Sequence, residues 1–138
     1  MKISEIMTKD LTLISAETSV LDAAKCMKES NCGILPIGDK EHVSGVVTDR
    51  DIVMQAVVSE EDLAHTPVKQ IMTDKIYFCN EDDPVNKALQ TMNENNVRRV
   101  LVLDENKDLT GILSLMDIIS RVENKDTLGK LFQEERTP

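Results

Sequence analysis

Aromatic and histidine side chains are scarce in this sequence, which has two Phe, one Tyr, no Trp and two His among 138 residues. A core must therefore be built from Ile, Val, Leu, Met and Ala, and unpaired bases of nucleic acid would find few aromatic rings to stack on. His42 and His65 do not share a metal-ligand spacing with the cysteines, so we expect no metal site. Cys26, Cys32 and Cys79 are an odd number without a disulfide-framework spacing. We expect them to be reduced thiols that act as small core residues.

Positive charge is in the minority, because 16 Lys and Arg face 25 Asp and Glu and give a formal net charge of −9. Non-specific binding of nucleic acid relies on many basic contacts to phosphate, so we do not expect nucleic acid as a partner. A small anionic ligand remains compatible with this charge, since one cleft can be locally positive. The N-terminal residues lack the apolar region of a signal peptide, and no stretch approaches the length of a membrane span. The sequence therefore predicts a cytoplasmic protein without a membrane partner.

An internal repeat is the strongest pattern in the chain. Ile6-Met7-Thr8 recurs 65 residues later as Ile71-Met72-Thr73, and identities continue at that spacing through the next segment. After one additional residue in a turn of the second copy, Gly45-Val-Val-Thr-Asp-Arg-Asp51 aligns with Gly111-Ile-Leu-Ser-Leu-Met-Asp117. Identities in register across separate segments indicate a duplication. The predicted organisation is repeat 1 over 1–60, a linker over 61–67, repeat 2 over 68–122 and a polar C-terminal tail over 123–138.

Both repeats predict the same order of elements: a short extended run, an amphipathic helix, two strands joined by a polar turn, and a second helix. In repeat 1 these are Leu11 to Ile14, about Val20 to Glu29 with a cap at Thr18 or Ser19, Ile34 to Ile37, Val43 to Val47, and a helix from Thr48. In repeat 2 they are Ile76 to Cys79, a helix with Pro84 in its first turn, Val97 to Leu103, Leu109 to Leu113, and a helix from Ser114. The order is β-α-β-β-α twice, a mixed α/β (α+β) fold. One repeat alone covers its sheet on only one side, so we expect the two to pack sheet against sheet, with small-molecule clefts where they meet.

A Gly-φ-φ-Thr/Ser-x-x-Asp element, with φ apolar, follows a strand in both repeats. A hydroxyl residue followed three positions later by an acid at a helix start is typical of a capping box. The two pairs are Thr48 with Asp51 and Ser114 with Asp117. If they act only as caps, an Ala at the hydroxyl position would cost about 1 kcal/mol of stability and nothing more.

The same element also suits a ligand site, and the residues alone leave both interpretations open. A strand that leads into a helix offers free N–H donors to a phosphate group, and Arg50, Arg98 and Arg99 would add positive charge. The aspartate would face the sugar, because carboxylate oxygens accept hydrogen bonds from the ribose 2′- and 3′-hydroxyls. The base would lie against apolar residues such as Ile34, Val46, Ile76 and Ile112.

The motifs of both copies together resemble the CBS domain family, named after cystathionine β-synthase, in which tandem pairs form Bateman modules. The resemblance covers residues 1 to about 122 and rests on ISEIMTKDLTLIS, TSVLDAAKCM, NCGILPI and GVVTDRDIV in copy one, with VKQIMTDKIYF, DDPVNKALQTM, NNVRRVLVLD and GILSLMDII in copy two. It implies two β-α-β-β-α repeats packed with pseudo-twofold symmetry, often as a homodimer. It also implies a non-catalytic module that binds AMP, ADP, ATP, S-adenosylmethionine or an NAD-like ligand between the repeats, requires no cofactor, and regulates an enzyme, channel or transporter.

Carried over to this sequence, the resemblance assigns phosphate contacts to Thr48, Ser114, Arg50 and Arg99, and ribose contacts to Asp51 and Asp117. The full candidate set for nucleotide binding is Thr12, Ile34, Pro36, Val46, Thr48, Arg50, Asp51, Ile76, Arg98, Arg99, Ile112, Ser114 and Asp117.

The two copies depart from each other at the motif. Copy two has Leu115 and Met116 where copy one has Asp49 and Arg50, and Leu101 stands in copy two where copy one has a proline. We therefore expect two sites of unequal affinity. An enzyme is disfavoured because the sequence shows no nucleophile–base pair, metal cluster or Gly-rich phosphate loop. The remaining alternative is a module for protein–protein interaction or dimerisation that binds no ligand.

Overall fold

A computed structural model describes residues 1–121 and Gly129. The chain forms two compact units, one of Thr12–Ile76 and the other of Met1–Leu11 with the chain from Tyr77 onward. Each unit therefore contains the leading segment of the opposite repeat. We call these segments the leaders: residues 1–11 lead repeat 1, and residues 68–76 lead repeat 2. The prediction of a polar tail over 123–138 lies outside the described residues, Gly129 aside. No helix within the described part of the chain has the length and apolar character needed to cross a bilayer.

The Thr12–Ile76 unit is built on a β-hairpin. Its elements are α1 (Val20–Ser30), β1 (Ile34–Gly38), β2 (Val43–Thr48), a short α2 (Asp49–Asp51) that continues as a π-helix over Ile52–Val57, and a 3-10 helix over Val68–Gln70. β1 and β2 are antiparallel, and their register shifts between Ile37 and Gly38. Gly38 has φ +119°, and a Cβ there would collide with the carbonyl of His42, so this turn requires glycine.

The second unit repeats this plan with one more strand. Its elements are a 3-10 helix over Ile3–Glu5, β3 (Phe78–Asn80), α3 (Val85–Asn95), β4 (Arg99–Leu103), β5 (Leu109–Ser114) and α4 (Leu115–Arg121). β3 is parallel to β4, which is antiparallel to β5, so β4 is the central strand. The predicted mixed α/β class is thus confirmed.

Three local predictions differ from the structure. The run Leu11 to Ile14 does not form a strand, because only Ile14 pairs, in a parallel bridge to Ile37. Pro84 occupies the N-cap of α3 with extended φ and ψ rather than its first turn. The helix after Thr48 becomes π-helical, with Val58 N–H donating to Val53 five residues back.

The first helix of each repeat ends in the same way. Ser19 caps the start of α1 by accepting the Asp22 N–H at 3.0 Å, as one of the two predicted caps. α1 ends at Asn31 and α3 at Asn96, both in the left-handed conformation with φ 50° and 54°. Asparagine is one of the few non-glycine residues that adopt this conformation readily.

Each core takes apolar residues from the opposite repeat. In the Thr12–Ile76 unit, Val68 and Ile71 of the second repeat's leader join the core residues of the first repeat. In the other unit, Ile3, Ile6 and Met7 join the core of the second repeat. The recurrence of Ile-Met in the two leaders therefore reflects equivalent buried positions.

The leaders also pair with the strand that carries the Gly-φ-φ-Thr/Ser element. Thr73 and Val46 exchange two backbone hydrogen bonds of 3.0 Å, and Thr8 and Ile112 exchange two of 2.9 and 3.0 Å. The glycine of each element allows this approach. A Cβ on Gly45 would lie 2.7 Å from the Thr73 carbonyl oxygen. The Ile-Met-Thr and Gly-φ-φ-Thr/Ser motifs are therefore two sides of one contact.

Candidate functional site

Four candidate residues of the first repeat lie on one face of its hairpin. Ile34 pairs with Thr48, and Pro36 pairs with Val46. Because side chains alternate along a strand and paired residues point the same way, these four side chains share a face. We call Ile34, Pro36, Val46 and Thr48 the repeat-1 face. The opposite face carries the fully buried core residues Leu35, Ile37 and Val47.

The second repeat has an equivalent set. Arg99 pairs with Ser114, and Leu101 pairs with Ile112. We call Arg99, Leu101, Ile112 and Ser114 the repeat-2 face, and the core residues Val100, Val102 and Leu113 lie opposite. Leu101 was not a sequence candidate. Its equivalence to Pro36 within the duplication, together with strand alternation, was the signal that identifies it.

At the end of each face, the predicted capping box is present. Thr48 Oγ1 accepts the Asp51 N–H at 3.1 Å, and Asp51 Oδ2 accepts the Thr48 N–H at 2.9 Å. Ser114 and Asp117 make the same two bonds at 3.0 and 2.9 Å. The capping interpretation is therefore correct for both repeats, and a ligand role must use the atoms that the caps leave over.

The start of α2 does not supply the free N–H donors expected for phosphate. Asp49 N–H donates to the Gly33 carbonyl at 3.0 Å, and Arg50 N–H to Asp49 Oδ1 at 2.8 Å. Asp51 N–H is held by the cap. The expectation is wrong for repeat 1, because the Asp49 side chain takes the donor that a phosphate would need.

The start of α4 differs because Leu115 has no side-chain acceptor. Leu115 N–H donates to the Arg98 carbonyl at 2.9 Å, and Asp117 N–H to Ser114 Oγ. Among residues 1–121, no acceptor is in hydrogen-bond contact with the Met116 N–H. The N-terminal ends of α2 and α4 therefore differ in their free N–H donors as well as in their charge.

Hydroxyl and carboxylate atoms remain for a ligand in repeat 1. A threonine hydroxyl donates one hydrogen bond and accepts two, and the cap uses Thr48 Oγ1 only as an acceptor. Asp51 Oδ1 has no hydrogen-bond donor among the described residues. In repeat 2 the Thr8 hydroxyl lies 3.4 and 3.5 Å from the two oxygens of Asp117.

Three arginines add positive charge. Arg99 lies on β4, and Arg98 directly precedes it rather than lying on the strand as the sequence suggested. Arg50 is the middle residue of α2. All three are exposed, and none forms an ion pair with another residue of the described chain. Their guanidinium groups are available to an anionic ligand.

Thr12 and Ile76 are not among these paired residues. They are the first and last residues of the Thr12–Ile76 unit, where the chain passes to the other unit. Neither takes part in a strand pairing of the described chain. The structure thus brings Ile34, Pro36, Val46, Thr48 and Asp51 together, whereas the assignment of Thr12 and Ile76 to the site stays a prediction.

Two thiols and one turn carboxylate have displaced pKa values. Burial raises the pKa of Cys79, and burial likewise raises the pKa of Cys32 against the opposing effect of the Ile34 N–H. The pKa of Asp39 is lowered because the backbone N–H groups of His42 and Glu41 stabilise its carboxylate. Within the described residues, no three acidic, histidine or cysteine side chains are grouped closely enough to hold a metal ion.

The geometry agrees with what comparison with known proteins shows. The model of the CBS domain matches this chain twice, at residues 3–57 and 68–124. The chain belongs to the CBS domain family and carries a tandem pair, which confirms the resemblance found in the sequence.

Relatives span nearly the whole chain. The Bacillus subtilis protein YlbB is 32% identical over 135 residues, covering 96% of this chain and 90% of that protein. A protein with CBS domains from Burkholderia ambifaria MC40-6 has a TM-score of 0.81 at 26% identity, covering 91% of this chain and 96% of that one. The CBS domain pair of protein MJ0100, solved with 5′-methylthioadenosine and S-adenosyl-L-methionine, has a TM-score of 0.77 at 28% identity, covering 88% and 94%.

Proposed function

We propose that this chain is a non-catalytic regulatory module that binds adenosine ligands on its repeat-1 and repeat-2 faces. The observation that carries the proposal is the recurrence of one arrangement: an apolar strand face that ends in a hydroxyl and a carboxylate. The ligands of the MJ0100 pair, both adenosine derivatives, support the same class of ligand. Candidate ligands are AMP, ADP, ATP, S-adenosylmethionine and NAD-like molecules.

The ribose is assigned to the aspartates. Asp51 Oδ1 is left over by the cap, and a carboxylate oxygen accepts hydrogen bonds from vicinal hydroxyls. Thr48 keeps its hydroxyl hydrogen for a phosphate or sugar oxygen. The adenine lies on the apolar part of the face, which in repeat 1 is Ile34, Pro36 and Val46; Ile34 is half-buried, and a base reaches the buried Pro36 and Val46 only if the groups that cover them move. This arrangement selects ribonucleotides over deoxyribonucleotides.

The charge around each face sets its preferred ligand. In repeat 1, Arg50 stands between two carboxylates, Asp49 and Asp51. In repeat 2, Arg98 and Arg99 accompany the single carboxylate of Asp117. We propose that phosphate-bearing ligands prefer the repeat-2 face, whereas uncharged or cationic adenosine derivatives such as 5′-methylthioadenosine and S-adenosylmethionine prefer the repeat-1 face.

Asp51→Asn and Asp117→Asn test the proposal without removing the caps. Asparagine retains one oxygen for the N–H of Thr48 or Ser114, but its NH₂ replaces the oxygen that would accept a ribose hydroxyl. We expect calorimetric titration with AMP, ATP, S-adenosylmethionine and 5′-methylthioadenosine to show binding that each variant abolishes at one site. The free energy of unfolding should fall by no more than about 0.3–1 kcal/mol, the contribution of a carboxylate charge at a helix N-terminus.

Thr48→Ala is the matched control for capping. It removes the acceptor for the Asp51 N–H and should lower the free energy of unfolding by about 1 kcal/mol. If Asp51→Asn binds every ligand as the unaltered chain does, Asp51 is a cap alone. If no adenosine ligand binds the unaltered chain at millimolar concentration, the ligand-binding function is wrong.

A specific observation also favours the second candidate function, an interaction module. Large apolar side chains are exposed along the π-helix, at the residue that follows it and along α4, namely Val53, Met54, Val57, Val58, Met116 and Ile119. Exposed apolar residues grouped on helices are typical of association surfaces. We propose that a second copy of the chain covers them in a homodimer, and that an output to an enzyme or transporter passes through that assembly.

Val57→Glu tests the association. The added charge cannot be buried in an apolar interface without a large cost, so the variant should sediment as a monomer if the unaltered chain sediments as a dimer. Lys25→Gln, at an exposed position on α1, lowers the net charge by the same one unit and is the control for the change of charge. A monomeric unaltered chain at all concentrations would contradict the homodimer.

A further inference from the structure

Two cysteines flank the C-terminal end of α1. Cys26 lies in the last two turns of the helix, and Cys32 directly follows the left-handed residue Asn31. The Cys32 N–H donates to the Met27 carbonyl at 3.0 Å, and the Asn31 N–H to the Lys28 carbonyl at 3.4 Å. These two bonds define a Schellman motif, in which the residue after the left-handed position folds back onto the helix.

That motif brings the two cysteine side chains towards each other. In a Schellman motif, the side chain of the second residue beyond the helix frequently contacts one of those three and four positions before the C-cap. Here the second residue beyond the helix is Cys32, and the two positions are Met27 and Cys26. Both cysteines are half-buried against the same core cluster. Repulsion between the two thiolates contributes to the raised pKa of Cys32, after burial, which is a further sign of their proximity.

We propose that Cys26 and Cys32 are a redox-active dithiol that closes to an intramolecular disulfide across the end of α1. The oxidant is a low-molecular-weight disulfide such as glutathione disulfide. One cysteine thiolate attacks a sulfur of the oxidant and releases one glutathione thiolate. The second cysteine, after losing its proton, attacks the mixed disulfide, forms the Cys26–Cys32 bond and releases the second glutathione. Two thiols are oxidised and one disulfide is reduced to two thiols.

The third cysteine, Cys79, lies outside the motif at the end of α1. Cys79 belongs to the other unit and lies buried on β3, with its Sγ 3.8 Å from the Thr91 hydroxyl. Cys79 is the one other thiol of the sequence and could compete for glutathione or for either cysteine, so the test removes it. A chain with Cys79→Ser therefore contains the complete dithiol and no competing thiol.

The raised pKa of Cys32 slows each step in which the Cys32 thiolate attacks. The thiolate is the nucleophile in disulfide exchange, and burial reduces its fraction at neutral pH. Closure should accelerate as the pH rises towards the pKa of Cys32. A slow reaction at neutral pH is therefore expected, and completion is judged at equilibrium.

The second repeat offers a matched control for the geometry. α3 ends in the same motif, with Val97 N–H donating to the Met92 carbonyl at 2.9 Å and Asn96 N–H to Asn93 at 3.4 Å. Thr91 and Val97 are the equivalents of Cys26 and Cys32. Thr91→Cys with Val97→Cys, in a chain whose native cysteines are all serine, places two thiols in the same motif elsewhere in the protein.

The test equilibrates the folded Cys79→Ser chain with glutathione and glutathione disulfide at pH 8 and follows intact mass and peptide mapping. We expect the loss of two hydrogen atoms, a peptide linked through Cys26 and Cys32, and the same closure in the Thr91→Cys, Val97→Cys chain. Cys26→Ser or Cys32→Ser should instead leave a single mixed disulfide with glutathione. Closure at least tenfold more favourable in the folded chain than in 8 M urea is expected. Equal closure in both states, two bound glutathiones, or a chain that remains reduced would each overturn the proposal.

Discussion

The Thr8 hydroxyl lies 3.4 Å from Oδ1 and 3.5 Å from Oδ2 of Asp117. Its equivalent Thr73 makes a different contact, because its hydroxyl accepts the Lys75 N–H at 3.3 Å. Within residues 1–121 no hydroxyl of a leader contacts Asp51. The two aspartates that we assign to ribose therefore differ before a ligand binds. Asp117 must lose its contact with the Thr8 hydroxyl when it binds a ribose, whereas Asp51 has no such contact to lose.

Thr8→Val should strengthen ligand binding at Asp117. The valine is similar in shape and removes the hydroxyl that competes with the ribose, and a long hydrogen bond of this kind is worth about 0.5 kcal/mol, roughly a twofold change in Kd. Titration with AMP in an Asp51→Asn background measures the Asp117 site alone. Thr73→Val is the control and should leave binding unchanged. Weaker binding by Thr8→Val would mean that the hydroxyl contacts the ligand instead.

Gly45→Ala should destabilise the chain more than Gly111→Ala. The Gly45 methyl would lie 2.7 Å from a backbone oxygen, that of Thr73, whereas the atom nearest to the Gly111 methyl is the Met7 Sδ at 2.5 Å. A methionine side chain moves more easily than a paired backbone. We expect about 1–3 kcal/mol for Gly45→Ala from urea unfolding.

Gly129→Ala is the control for these two glycine substitutions. A methyl on Gly129 meets no atom of the described residues within 4 Å, so Gly129→Ala should cost little. The Thr8 carbonyl oxygen would lie 3.1 Å from the Gly111 methyl. If Gly45→Ala and Gly111→Ala lower the free energy of unfolding equally, the backbone at Thr8 moves no more easily than the backbone at Thr73.

Arg121→Ala should loosen the first leader. Arg121 Nη1 donates to the Ile6 and Met7 carbonyls at 2.9 and 3.0 Å, and hydrogen bonds to charged groups contribute about 1.5–3 kcal/mol. Hydrogen exchange at the Thr8 amide, which bonds to Ile112, should accelerate with the loss of stability. Gln55→Ala, at the equivalent exposed position of the first repeat, should have no such effect. Identical exchange in the two variants would contradict a role for Arg121 in holding the leader.

Cys79 should react slowly with iodoacetamide in the folded chain. Burial raises its pKa above the ordinary 9.0, and the Thr91 hydroxyl only partly offsets this. In a Cys26→Ser, Cys32→Ser chain, the midpoint of the rate against pH should therefore lie above 9.0. Because the protonated thiol is favoured by folding, its contribution to stability is complete below the ordinary pKa and is lost as pH rises through the folded value. A midpoint at or below the ordinary value would show that the thiol is more accessible than its position on β3 indicates.

The sequence predicted the hairpins and the caps because their signals are local. Strand ends were placed within about two residues, since alternation and turn residues act over short distances. The capping partners Thr48 and Asp51 lie three residues apart and needed no tertiary information. Family membership followed from motifs in both copies, and the structure adds that each motif is part of a contact.

Features that depend on distant residues could not be predicted in this way. The Asp49 N–H is held by Gly33, sixteen positions earlier, and nothing in the local pattern indicates that bond. The pairing of Leu101 with Ile112 depends on the register of β4 and β5, although the duplication already aligns Leu101 with Pro36. Thr8 was not a candidate, because its neighbour Asp117 is 109 positions away in the chain.

Because the units exchange leaders, each repeat depends on a segment of the other repeat to complete its fold. A chain reduced to its first repeat would present the free edge of β2, with no Thr73 to pair with it, and a Thr8 segment with no β5. Two such half-length chains could satisfy both edges by trading leaders, as in a domain-swapped dimer. Joining the halves in one polypeptide converts that bimolecular exchange into an intramolecular one, at an effective concentration fixed by the linker instead of by the amount of protein.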